Sequence, residues 1–328
     1  MTGLDAVVAA IRERQSFILT SHAKPDGDAV GSCLALALAL ESLGKQVTVI
    51  FKDAAPEPYR GFPGMDRITI ADRVSAPADA AVLLECSELD RPGVAGLEQY
   101  FVVNVDHHLG NTLYGQVNWF DGSIAACGEM VGDIIDALGV PWTREIASHL
   151  YLAISTDTGG FRYGAIRAKT FDTCRRIVEA GVDAAALSRQ IFDSYSIGRV
   201  KLTGAMLDAM TLHHDRRLAV LAFDEVLLNA CGATIDDTEG LVNIPLSARE
   251  VTAVALFKRQ DAKTFRLSLR SKGLVDVREV AALWQGGGHR NAAGCTVVGE
   301  FNEVRDAIVL AMSRAIDLVA EPDVIPAR

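Results

Sequence analysis

Paired cysteines, long apolar runs, positive charge and aromatic rings are all scarce in this chain, and each scarcity excludes something. The six cysteines, Cys33, Cys86, Cys127, Cys174, Cys231 and Cys295, are scattered and never fall as a C-x-x-C pair. They read as reduced cytosolic thiols, not as a disulfide frame or a zinc site, and the expected location is cytoplasmic. No apolar stretch reaches the length of a membrane span. The opening "MTGLDAVVAAIRERQ" carries an acid early and lacks an uninterrupted apolar core, so it reads as an amphipathic helix rather than a signal peptide. Lys and Arg number 32 against 42 Asp and Glu, a net charge of -10, which speaks against a broad basic track for long nucleic acid. A short anionic ligand in a local pocket remains compatible with that balance. Aromatics make up only 6% of residues, too few to suggest a stacking groove for a long single strand.

What is present is an ordinary globular composition, 49% hydrophobic and 23% charged over 328 residues, long enough to predict two domains. The runs "SFILT" (16–20), "QVTVIF" (46–51), "DAAVLLE" (79–85) and "QYFVVNVDHH" (99–108) read as short buried strands, and "GSCLALALALESLG" reads as a helix ending at Gly44. This alternation predicts an α/β domain with a parallel sheet and flanking helices over residues 1–195. Two helical patterns, over 124–139 and 143–159, follow the last of these strands. A helical connector over 196–212 leads to a β-rich stretch, 213–328, which predicts a smaller α/β domain with an active-site cleft between the two. No internal repeat or low-complexity tract is evident.

In an open parallel sheet, ligands bind outside the carboxyl ends of the strands. There the sequence places His22, Asp26 and Asp28 after the first strand, Glu85 after "AVLL", and Asp106, His107 and His108 after "FVVNV", while Asp157 ends an apolar helix. So many acids share one edge only with raised pKa values or with cations to neutralise them. Oxygen-rich ligands with a few imidazoles suit divalent ions such as Mn²⁺ or Mg²⁺, and two ions can clamp both oxygens of a phosphoryl displacement. Each residue alone has a plainer reading: Asp26 or Asp28 could cap the "LALALAL" helix, and either histidine could be a core or surface residue. Delivery of ligands from four separate element ends outweighs those readings.

The segments "SHAKPDGDAVGS", "VLLECSELDR", "NVDHHLGN" and "AISTDTGGFRY" resemble, in order, the four motifs of the DHH phosphoesterase superfamily, and "LRSKGLVDV" with "GGGHRNAAG" resembles its DHHA1 domain. The resemblance spans nearly the whole chain and is nearest the NrnA-type branch, the nanoRNases and pAp phosphatases. It implies that His22 and Asp26 hold one metal, that Asp28, His107 and Asp157 hold the other, and that the acid of the second motif bridges both. That acid is usually Asp; here it is Glu85, and Glu88 or Asp90 could take its place. The resemblance further implies a catalytic His108 against the scissile phosphate, with Asp106 orienting a neighbouring imidazole. Arg270, Ser271, Gly286, Gly287, Gly288 and His289 are then candidate substrate contacts, joined by Arg91 and Arg162.

The implied protein is a homodimeric enzyme with two divalent ions, Mn²⁺ or else Mg²⁺. It hydrolyses short 5′-phosphorylated oligoribonucleotides and dephosphorylates 3′-phosphoadenosine 5′-phosphate (pAp). Competing readings are a stand-alone cyclic dinucleotide phosphodiesterase, a RecJ-like single-strand exonuclease, a family II inorganic pyrophosphatase and a non-catalytic nucleotide binder.

Overall fold

A computed structural model describes residues 3–162 and 164–319, and for His289 its backbone only. The chain divides into two units, residues 1–194 and 195–328.

The first unit begins with helix α1 (Gly3–Arg12), strand β1 (Ser16–Thr20), helix α2 (Gly27–Ser42) and strands β2 (Gln46–Phe51), β3 (Ile68–Ile70), β4 (Ala80–Leu84), β5 (Phe101–Asp106) and β6 (Val117–Phe120). Helices α3 (Cys127–Leu138), α4 (Arg144–Asp157), α5 (Ala168–Glu179) and α6 (Ala184–Phe192) complete it. The six strands form one sheet in the order β3-β2-β1-β4-β5-β6, and every pairing is parallel. As expected of such sheets, β4 is buried along its whole length. Alternate residues serve two cores. Phe17, Leu19, Val82, Leu84, Val103 and Val105 pack with the helices, while Ile18, Ala81, Leu83 and Val102 face the irregular 71–100 segment through Val74, Val94 and Leu97. Edge strands β3 and β6 are absent from the sequence reading, because both are short and largely exposed and so lack an apolar signal.

Helices α2 and α4 touch closely enough to need glycine. A Cβ on Gly31 would lie 2.4 Å from the carbonyl oxygen of His149. This close approach fixes the start of α2, which carries Asp28, against the helix that ends in Asp157.

The second unit holds helix α7 (Ile197–Asp208), strands β7 (Thr211–His213) and β8 (Leu218–Phe223), helix α8 (Glu225–Cys231), strands β9 (Ala253–Arg259) and β10 (Thr264–Ser271), helix α9 (Val277–Ala282), strands β11 (Gly287–His289) and β12 (Ala292–Val298), and helix α10 (Phe301–Asp317). Its sheet order is β11-β12-β10-β9-β8-β7, antiparallel except for β8 beside β9. Leu218, Val220 and Phe257 on one face pack with residues of α9 and α10; Ala219, Leu221 and Val254 on the other pack with Leu202 and Met206 of α7. The segment expected as a connector is therefore a helix of this unit, capped by the Ser196 hydroxyl, which accepts from the Arg199 amide.

The glycine cluster lies at the edge of this sheet. Gly287–His289 is an edge strand paired with β12. A Cβ on Gly286 would meet the Gly294 carbonyl at 2.3 Å and one on Gly288 the Ala292 carbonyl at 2.4 Å. Close strand packing thus requires these two glycines; only Gly287 has open space around its Cα.

Candidate metal centre

Because the sheet is parallel, the loops after β1, β4 and β5 leave from the same edge, and β1 and β4 are the neighbours between which the strand order reverses. Three of the expected ligand groups leave from those loops. His22 follows β1; its Nδ1–H donates to the Ala23 carbonyl at 3.0 Å, and its Nε2 stands 3.7 Å from Asp26 Oδ2. Asp26 caps α2, its Oδ1 accepting from the Ala29 amide at 3.0 Å. The capping reading and the ligand reading therefore use different oxygens of one carboxylate.

Asp28 is 0% exposed and is not a cap of its own helix. Its Oδ1 accepts from Ser32 Oγ at 2.7 Å and from the Gly128 amide at 3.0 Å, and its Oδ2 accepts from the Cys127 amide at 2.6 Å. The positive end of α3 thus points at Asp28. A carboxylate has about four lone-pair sites, so a position on Oδ2 is left for a cation.

Glu85 sits just past β4 in left-handed backbone, φ 61°, with its carboxylate buried against both histidines of the β5 end. His107 Nε2 is 3.2 Å from Glu85 Oε1 and 3.5 Å from Asp157 Oδ2, and His108 Nδ1 is 3.5 Å from Glu85 Oε2. Neither Glu85 oxygen nor His107 Nε2 makes a hydrogen bond of proper geometry. Glu88 and Asp90, the other acids of that loop, are exposed. His107 is oriented from its far side, where Nδ1–H donates to the Ile124 carbonyl at 2.9 Å, so Nε2 is the nitrogen that faces the acids. Asp106 is 0% exposed; its Oδ1 accepts from His108 Nδ1 at 2.9 Å, and its Oδ2 from Asn111 Nδ2 at 2.6 Å.

The electrostatics follow from burial. Desolvation pushes the Glu85 carboxyl well above its ordinary range, and the nearby Asp28 charge adds to it. The same two causes lift Asp157 to about 7. Burial pulls His107 down, but the Glu85, Asp28 and Asp157 charges overcome it and raise its pKa to about 11. The acids are short of positive charge, and the one imidazole among them takes a proton to supply it.

Two groups have ligand atoms all within 4.8 Å of one another: Asp28, His107 and Asp157, and Glu85, His107 and His108. The orphaned buried oxygens of Glu85 and the lone pair of His107 Nε2 fit a divalent cation: carboxylate and imidazole donors in a desolvated site whose unbalanced charge a cation would neutralise.

The remaining expected contacts are dispersed. Arg91 and Arg162 are exposed, and Arg162 Nε donates to the Gly159 carbonyl at 2.6 Å. In the second unit, Arg270 lies on β10 opposite Ala292 of β12, with Nη1 donating to the Leu269 carbonyl at 3.0 Å. Ser271 is buried, its hydroxyl donating to the Val275 carbonyl at 2.7 Å and accepting from Asn291 Nδ2 at 2.8 Å. Its single proton is committed, so it has no donor to offer a phosphate. The His289 side chain lies outside the described residues. Sequence reading missed Ser32, Cys127, Gly128, Asn104, Asn111 and Tyr114 as supports of the centre; of these Ser32 closes "SHAKPDGDAVGS" and Asn104 and Asn111 begin and end "NVDHHLGN", while the other three lie outside the motifs singled out by the sequence.

Comparison with known proteins follows the same lines. Residues 16–154 match the DHH family, N-terminal domain, and residues 224–316 match the DHHA1 domain. The chain is 32% identical, over 306 residues and 90% of both chains, to the bifunctional oligoribonuclease and PAP phosphatase NrnA of Thermus thermophilus. An exopolyphosphatase-related protein from Bacteroides fragilis superposes with a TM-score of 0.89 at 27% identity, covering 96% of this chain and 97% of that one. The exonuclease RecJ bound to manganese shares the fold, with a TM-score of 0.54 at 16% identity and coverage of 98% and 97%. Among the described residues, no helix is long and apolar enough to cross a membrane.

Proposed function

The chain belongs to the DHH family, and from that premise we propose that it is a metal-dependent phosphoesterase that hydrolyses short 5′-phosphorylated oligoribonucleotides to mononucleotides and pAp to AMP. The relative from Thermus thermophilus carries both activities in its name and matches over 90% of each chain. The observation that supports this reading most directly is the buried Glu85 carboxylate, without a hydrogen-bond donor and beside the lone pair of His107.

In this reading His22 and Asp26 hold one divalent ion, Asp28, His107 and Asp157 hold a second, and Glu85 serves both. Mn²⁺ is the preferred ion and Mg²⁺ the substitute. Bound there, the ions supply the positive charge that acidifies a water molecule and neutralises phosphate oxygens. The chain's own groups do the rest. The α3 amides stabilise negative charge on Asp28. Ile124 fixes the tautomer of His107, keeping Nε2 unprotonated once a cation replaces the proton. Asp106 anchors His108, which contacts the scissile phosphate and steadies the charge that grows there. Water adds across one P–O bond, so a dinucleotide with a 5′ phosphate leaves as two mononucleotides and pAp leaves as AMP and phosphate. Phosphate contacts fall to Arg91 and Arg162 in the first unit and to Arg270, Gly286, Gly287 and Gly288 in the second. The acidic net charge suits short substrates.

Product chromatography tests the reading. The purified chain is incubated with Mn²⁺ and, separately, a 5′-phosphorylated RNA dinucleotide, pAp, cyclic di-AMP and a long single strand. Conversion of the dinucleotide and pAp, abolished by a chelator, is expected. Cleavage confined to the cyclic dinucleotide or the long strand would move the chain to another branch of the family.

A further inference from the structure

Glu85 is held in a conformation that glutamate avoids. Left-handed backbone crowds the Cβ of any residue but glycine against the following carbonyl, so something must hold it there. Its amide donates to the Val105 carbonyl at 3.1 Å. The next carbonyl along, that of Cys86, draws three donors: Asn104 Nδ2 at 2.9 Å, the Tyr114 phenol at 3.0 Å and Asn111 Nδ2 at 3.3 Å. The donors are themselves linked. Asn104 Nδ2 reaches the Tyr114 oxygen at 3.0 Å, and Asn104 Oδ1 accepts from Asn111 Nδ2 at 2.9 Å. Asn111 then donates to Asp106 at 2.6 Å, and Asp106 holds His108 at 2.9 Å. One continuous chain of hydrogen bonds therefore runs from the strained peptide after Glu85 to the imidazole on the other side of the same carboxylate.

We infer that Asn104, Asn111 and Tyr114 form a positioning clamp that sets where the Glu85 carboxylate and His108 stand relative to one another, and so sets the affinity of the centre for its cations. The inference rests on the metal-centre reading above. A carbonyl has two lone pairs, so three donors overdetermine the direction of the Cys86 peptide. That overdetermination matters here because Glu85 is one methylene longer than the aspartate usual at this point of the DHH pattern. A longer side chain reaches the same place only if its backbone is set back and kept there.

The test uses the full chain and reads metal binding directly, by calorimetric and EPR titration of the metal-free protein with Mn²⁺. Tyr114→Phe removes one hydroxyl and leaves the ring. It is expected to weaken Mn²⁺ binding by about ten-fold while changing the melting temperature of the metal-free protein little. Asn111→Ala is expected to weaken it further. The two losses combine less than additively, because both variants act on one network. The control is Tyr100→Phe, which removes a phenol-to-carbonyl bond of the same kind, 2.7 Å to Ala76, outside the network; its Mn²⁺ affinity is expected to match the parent. Unchanged Mn²⁺ affinity in Tyr114→Phe and Asn111→Ala, with or without a drop in melting temperature, overturns the clamp. If the parent itself neither binds Mn²⁺ nor hydrolyses the dinucleotide, the metal-centre reading fails first, and the clamp with it.

Discussion

Two corners of the first unit each bury one carboxylate, and they treat it in opposite ways. At the junction of α2 and α3, Asp28 is 0% exposed yet accepts three hydrogen bonds. At the end of β4, Glu85 is 1% exposed and accepts none of proper geometry. Burial drives both pKa values up, but Glu85 far more. The first corner is complete as folded protein. The second is complete only when positive charge arrives, and in the metal-free chain the His107 proton stands in for it. A buried polar group without partners costs about 1 to 3 kcal/mol or more, so the uncompensated corner is where function is expected.

The contrast can be broken most severely at Asp28. Asp28→Asn removes a ligand charge and turns an acceptor oxygen into an amide that faces the Cys127 or Gly128 N–H. Turnover of the dinucleotide with Mn²⁺ is expected to fall by on the order of 1,000-fold, and the melting temperature to fall as well, while far-UV circular dichroism stays native. Activity within ten-fold of the parent would remove Asp28 from the centre.

A third buried group separates the fold's acid sensitivity from the metal centre. His149 on α4, behind Gly31, is 0% exposed, and burial pulls its pKa down to about 4. The unfolded chain binds this proton below about 6.5, the folded chain only near 4, so stability is complete above pH 6.5 and is lost as pH falls toward 4. The gap corresponds to about 3 kcal/mol. Urea midpoints over that range should slope downward in the parent and flatten in His149→Leu; equal slopes would assign the acid loss to other groups.

Glu85→Gln sharpens the comparison by inverting the sign of the stability effect. Burial raises the Glu85 carboxyl above its unfolded value, so holding it as a carboxylate in the folded, metal-free chain costs stability as pH rises above the ordinary carboxylate range. Removing the charge should raise the metal-free melting temperature at pH 8 by roughly 2 to 4 °C, the equivalent of about 1 kcal/mol. It should also weaken the stabilisation that Mn²⁺ confers on the parent. A lower metal-free melting temperature would mean that Glu85 already has a compensating partner. At the small end stands Arg175, whose pairs with Asp172 and Glu179 lie on the exposed face of α5. Arg175→Ala should leave both melting temperature and turnover at parental values, since water screens such pairs.

Much of this was legible beforehand. The strands β1, β2, β4 and β5 announce themselves as apolar runs, and parallel pairing by itself carries His22, Glu85 and His107 to one edge. The strand at the glycine cluster of the second unit was not legible, because turn chemistry and close strand packing both call for glycine. The saturated hydroxyl of Ser271 was invisible because its partners, Val275 and Asn291, come from two other segments.

The sequence alone determined which residue types stand at the strand ends and the order in which they come, because local periodicity and spacing record both. Only the tertiary structure decided which carboxylate is satisfied and which waits for a cation. The donors to Asp28 come from residues 127 and 128, about a hundred positions away, and the strained turn at Glu85 is held by Asn104 and Tyr114 from the neighbouring strand and the loop beyond it. Such bonds depend on how helices and strands pack in three dimensions, and packing distance leaves no periodic trace along the chain.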